Sequence, residues 1–155
     1  MFELANVIVE AKKALEEDSA TDVRFTHNYE IFKRFVNVAE SSPTDEEFHR
    51  RILTDFDLFC VAYVRLDNRK PMYPAPWQSE ASAIFETREV NLFIEPRKIG
   101  KSAVLSAYIL WKMCKEQSTR AVIFAPTQAQ LFIMDDIWKC LKRCDYLMDH
   151  YVQPN

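Results

Sequence analysis

The sequence predicts an α/β fold, an incomplete parallel sheet flanked by helices and preceded by a small all-helical N-terminal lobe, and three observations predict it. Two short apolar runs, at 91–94 and 121–125, carry β-branched and aromatic residues and read as strands, the second continuous enough to be covered on both faces. Between them Gly100-Lys101-Ser102 opens a segment, 103–114, whose apolar residues recur with helical period. The first 66 residues repeat their apolar positions at helical spacing throughout. Strand, loop, helix and strand in this order make a βαβ unit with a right-handed crossover.

From the start, Leu4, Val7, Ile8, Ala11 and Leu15 share one helical face, with Glu and Lys on the other. A polar break at 16–20 precedes a second stripe through Tyr29, Phe32, Phe35, Val36 and Ala39. Ser42-Pro43-Thr44-Asp45-Glu46-Glu47 is a helix start, with Ser42 or Thr44 as cap, proline in the first turn and acids facing the positive dipole end. The helix that follows buries Phe48, Ile52, Phe56, Phe59, Cys60 and Tyr63, with a break near Thr54. This spacing makes the phenylalanines core residues rather than a platform for stacking bases. Residues 1–66 form the helical lobe.

Pro71, Pro74 and Pro76 force an extended path and mark the boundary to a second unit, 67–155. Trp77 and Gln78 open a helix containing Ala81, Ile84 and Phe85, ahead of the first strand. After the second strand, Ile133, Met134, Ile137, Cys140, Leu141, Cys144, Leu147 and Met148 form a helical face nearly five turns long. Four apolar residues followed by Asp135 and Asp136 outline a Mg²⁺-binding strand end, but a strand there leaves too little chain for a parallel crossover. Both acids therefore belong on a solvated helical face.

Composition narrows the function. With 155 residues, 48% hydrophobic and 13% aromatic, the chain is globular and long enough to bury a core. A net charge of −3 excludes a blanket affinity for nucleic acid. Four cysteines without regular spacing, and no N-terminal signal, fit a reducing cytoplasm; no apolar run approaches the roughly 20 residues of a membrane span. Cys140, Cys144 and His150 lack a fourth ligand for zinc, and the two cysteines fit the apolar stripe as buried thiols. His27 and His49 have no partner at motif spacing and receive no chemistry.

Residues 91–102 read as a phosphate cradle. A strand delivers the chain to a basic loop, the loop amides and the following helix N-terminus face an anion, and Lys101 adds a point charge. The Ser102 hydroxyl is placed to hold Mg²⁺. Gly100 is the only glycine in the chain, which points to a backbone requirement at that position. Glu95 stands where such loops carry their first glycine; it restricts φ there but leaves the later amides in place. The bland alternative is an exposed helix start with a solvated basic pair, Arg97 and Lys98. Gln78 lies 22 residues before Gly100, room for a helix and a strand to bring it back beside the loop. It is either a solvated helix-start residue or an amide whose donor and acceptor match the edge of adenine.

Pro76-Trp77-Gln78, then Glu95-Pro96-Arg97-Lys98-Ile99-Gly100-Lys101-Ser102, then residues 122–130 (Val-Ile-Phe-Ala-Pro-Thr-Gln-Ala-Gln) together resemble the ATPase domain of the large terminase subunit, the viral DNA-packaging motor. The resemblance covers residues 76–130. Superfamily 2 helicases share a glutamine motif but usually keep their loop glycines. The terminase resemblance implies an incomplete P-loop NTPase fold of the ASCE type, with ATP and Mg²⁺ as cofactors. Pro96, Arg97, Lys98, Ile99, Gly100, Lys101, Ser102 and Ala103 would then bind nucleotide, with Gln78 reading adenine and Ser102 on Mg²⁺. Lys101 would neutralise the β/γ-phosphates, and Arg97 would act in cis on transition-state charge, a role typically worth about 10³ to 10⁵ in rate. Implied partners are the remainder of the large terminase, the small terminase subunit, the portal and double-stranded DNA, in the host cytoplasm.

The family's metal-positioning acid, water-activating glutamate and nuclease domain have no counterpart up to Asn155. The expectation is an N-terminal piece of the motor that binds ATP weakly and hydrolyses it poorly alone. Sheet edges left unpaired would call for a partner chain. Two alternatives stay open: a fragment of a superfamily 2 helicase-like or other P-loop ATPase, which the loop arginine disfavours, and a non-enzymatic module, whose helical lobe binds small terminase, portal or a regulator beside a vestigial loop.

Overall fold

The computed structural model describes residues 4–17, 22–88, 100–116, 118–124 and 132–152. Among these residues the architecture is all-helical: α1 (Leu4–Glu17), α2 (Asp22–Ser41), α3 (Asp45–Ile52), α4 (Phe56–Tyr63), α5 (Pro76–Thr87), α6 (Lys101–Lys115), α7 (Phe132–Lys142) and α8 (Asp145–Tyr151). The expected parallel sheet is thus corrected: no strand occurs among the described residues, and the one extended pairing is an isolated antiparallel bridge between Arg65 and Pro71. The expected strand at 91–94 lies outside the described residues. Of the expected strand at 121–125, residues 121–124 are described and adopt no regular structure. A strand persists only when a neighbour takes up its N–H and C=O groups, and among the described residues none does so for 121–124. Val122 is 73% exposed and Phe124 91%.

The helices form for reasons visible in their residues. In α1, Val7, Ala11, Ala14 and Leu15 recur on one buried face. In α2 the buried face is Asn28, Ile31, Phe35 and Ala39. At its end the Ser41 and Ser42 hydroxyls donate back to the carbonyls of Asn37 and Val38, four residues earlier. Thr44 caps α3, its Oγ1 accepting from the Glu47 amide at 3.2 Å, and Asp45, Glu46 and Glu47 fill the first turn. The chain breaks at 53–55, where Asp55 starts a new helix by accepting from the amides of Asp57 and Leu58. Arg34 reaches over from α2 to both Asp55 and Asp57.

Helix α4 is the axis of the fold. Seven of its eight residues are buried, and it touches α1, α2, α3, α5 and α6. Burying one such side chain is worth about 1.5–3 kcal/mol before the cost of ordering it. After α4 the chain turns tightly through Arg69, whose φ is 62°, and the prolines then hold it extended up to α5. The Tyr73 hydroxyl pins this segment to α1 by donating to the Ala11 carbonyl at 2.8 Å.

The second half of the chain packs on the same core. Val104, Ala107, Leu110, Trp111 and Cys114 are the buried face of α6, and the Trp111 indole N–H donates to the Leu53 carbonyl at 2.9 Å. Helix α7 lies along α6. The continuous face expected over 133–148 is interrupted: the backbone leaves helical geometry at Cys144 (φ −130°, ψ 100°), and α8 begins at Asp145. The break lets Tyr146 stack on His49 of α3, ring centroids 3.6 Å apart, while the Arg143 side chain turns back toward the tight turn after α4. Asp135 and Asp136 lie on α7, as their helical placement predicts.

Candidate functional site

The site begins with the backbone of Gly100. It caps α6 in the left-handed region, φ 90° and ψ 24°, with no side-chain cap bond, and its carbonyl accepts from the Val104 amide at 3.1 Å. That conformation is open to glycine and strained for residues with a Cβ. The amides of Lys101, Ser102 and Ala103 have no acceptor within the helix, as in any first turn, so the positive end of the α6 dipole is presented there. Lys101, Ser102 and Ala103 are each half-buried.

Gln78 arrives beside this turn by way of α5. Pro76 occupies the first position of that helix, and the Gln78 side-chain oxygen accepts from the Ala75 amide at 2.9 Å. The Gln78 Nε2 then donates to the Gly100 carbonyl at 3.4 Å. A Cβ at Gly100 would meet that nitrogen at 3.0 Å, so both the turn and the close approach select glycine. Gln78 is 7% exposed, which corrects the solvated helix-start reading: its amide is a strut between two helix openings.

The structure therefore brings Gln78, Gly100, Lys101, Ser102 and Ala103 to one place. Pro96, Arg97, Lys98 and Ile99 lie outside the described residues. For Mg²⁺ the site offers the Ser102 hydroxyl, a hard oxygen donor of the kind that completes a coordination sphere built mostly from nucleotide phosphates and water. No group of three or more His, Cys, Asp or Glu suited to a metal occurs among the described residues. Beyond the turn, Glu86 of α5 ties that helix to α6. Burial pushes its carboxyl up, but hydrogen bonds from Tyr108, Lys112 and Lys115 outweigh this and hold it below the usual value.

Two features escaped the sequence. His49 sits 6% exposed against the Tyr63 hydroxyl, with Tyr146 and His150 stacked beyond it; burial lowers its pKa to about 4. Arg65 and Arg143 stand between two adjoining cavities, of about 120 and 350 Å³. No local pattern marks either arginine, because they are 78 residues apart and meet only through the fold.

Comparisons with protein-family models, curated proteins and solved structures gave no match. No helix among the described residues is long and apolar enough to cross a membrane.

Proposed function

We propose that this chain binds ATP with Mg²⁺ at the opening of α6, as the N-terminal part of the ATPase motor of a terminase large subunit that packages viral double-stranded DNA. The observation that carries the reading is the Gln78–Gly100 contact. A glutamine 22 residues upstream lies against the carbonyl of the left-handed glycine that precedes Lys101 and Ser102, the juxtaposition the motif order implies. Lys101 adds positive charge to the dipole end, Ser102 supplies the metal oxygen, and Gln78 fixes the turn from behind. The reading asks of the fold only this helix opening; it does not rest on a sheet.

The test is a titration of a fluorescent ATP analogue with Mg²⁺ against wild type and Lys101→Ala. Saturable binding that weakens about tenfold or more in Lys101→Ala, the effect of one charge-assisted contact, is the expected result. Equal affinity in both proteins, or none in either, overturns the reading. The exposure of Val122, Phe124, Phe132, Met134 and Trp138 favours a second reading, a non-enzymatic interaction module. Under it, Lys101→Ala leaves every binding property unchanged.

A further inference from the structure

We infer that the outer face of α7 is a docking surface for a second copy of this chain, bound antiparallel across a two-fold axis beside Trp138. Met134, Trp138 and Leu141 follow one another at intervals of four and three residues, the spacing of an apolar seam between paired helices. Most of that seam is uncovered: Met134 is 54% exposed and Trp138 44%, whereas Ile137, on the inner side of the helix, is buried. Leu141 is also a wall of an apolar groove of about 400 Å³, shared with Leu110, Met113, Cys114, Ile137 and Tyr151. A projecting indole and a groove edge thus adjoin on one surface. A two-fold interface requires this, because each copy presents the same patch to the other.

The charges choose the partner and its direction. Asp135 follows Met134 and Lys142 follows Leu141, so both flank the seam on the same side, about 10 Å apart along the helix. Both are exposed. Asp135 has no ion pair or hydrogen bond among the described residues, and Lys142, its Nζ 5.3 Å from the centre of the Trp138 ring, has no carboxylate partner among them. Their neighbours Asp136 and Lys139, by contrast, pair with each other. An antiparallel copy, turned about a point level with Trp138, sets each Asp135 beside the second copy's Lys142, twice by symmetry. The same turn lays each indole against the second copy's Trp138 and Leu141, at the mouth of the groove. A parallel copy brings Lys142 opposite Ile137 instead, and the charges stay unanswered. A partner surface of a single charge sign answers only one of the two groups. Acid first and base last along α7 is therefore complementary to itself, and only in the antiparallel sense.

This inference stands apart from the nucleotide reading, and its failure leaves that reading untouched. Sedimentation equilibrium of the full chain is expected to give a monomer–dimer equilibrium with a Kd of about 10–100 μM, in keeping with a patch at the low end of interface sizes. Trp138→Glu puts a charge at the centre of the seam and is expected to weaken association about tenfold or more. Asp135→Lys and Lys142→Glu each set like charges opposite one another and are expected to weaken it about fivefold. Mixing these two single variants restores association, because every flanking pair in the mixed dimer is again of opposite sign. Circular dichroism of each variant checks that the helices are kept, and the mixture returns a signal that a folding defect in either chain does not. A chain that stays monomeric at about tenfold above the expected Kd range overturns the inference and leaves the face to a different protein or to solvent. A dimer indifferent to Trp138→Glu overturns it as well, and a mixture no better associated than its components removes the antiparallel arrangement on which it rests.

Discussion

Helix α4 and residues 121–124 are comparably apolar and end in opposite surroundings. Phe-Asp-Leu-Phe-Cys-Val-Ala-Tyr is sunk among five helices, whereas Ala-Val-Ile-Phe runs along the surface with Phe124 almost fully exposed. Their ends account for the difference. Asp55 supplies acceptors for the first amides of α4, and the Val64 amide closes its last turn on Cys60. Residues 121–124 make no backbone hydrogen bond among the described residues. Apolar composition gives a segment the potential for burial; backbone satisfaction and a neighbour of matching shape decide whether burial happens.

Three perturbations bear on this contrast, and the largest strikes α4 directly. Phe59→Ala opens a cavity at a fully buried position and is expected to cost about 3–5 kcal/mol in urea unfolding, whereas Phe124→Ser stays within about 0.5 kcal/mol. Equal losses would mean that 121–124 is packed and would end the comparison. Next, Gly100→Ala puts a Cβ into the left-handed region and against Gln78, for an expected loss of about 1–2 kcal/mol. A variant as stable as wild type would show that the helix opening is as pliable as the exposed run.

The third effect concerns acid. Burial is the main reason His49 resists protonation; His150 adds to it and Asp45 opposes it, so the folded pKa is about 4 against 6.5. Between those values the unfolded chain takes up a proton that the folded chain refuses. The stabilisation is therefore complete above about pH 6.5 and is lost as pH falls toward 4. Discounted for partial solvation, the loss is of the order of 1–2 kcal/mol. Urea midpoints of wild type and His49→Gln across that window are expected to converge at the acid end. A constant difference between them would place the titration elsewhere.

The helical lobe was legible because its signals are local. The Thr44 cap, the acids behind it, the break at Thr54 and the spacing of Phe48, Ile52, Phe56 and Phe59 need no distant partner to be read. The sheet was misjudged because residues 121–125 satisfy a compositional rule for strands, while a strand exists only through pairing that composition does not encode. Gln78 illustrates the middle ground: its distance from Gly100 suggested a return to the loop, yet its burial as a strut depends on how α5 docks. Arg65 and Arg143 were invisible, since nothing near either of them in sequence announces the cavities they share.

The indole of Trp111 gives the molecule an internal optical gauge. Its N–H holds the Leu53 carbonyl at the joint between α3 and α4, and the side chain is 4% exposed, while Trp138 is 44% exposed. Emission from the buried tryptophan is accordingly set by contact between the two halves of the chain. A red shift that precedes the loss of helical circular dichroism would register their separation before either half unwinds.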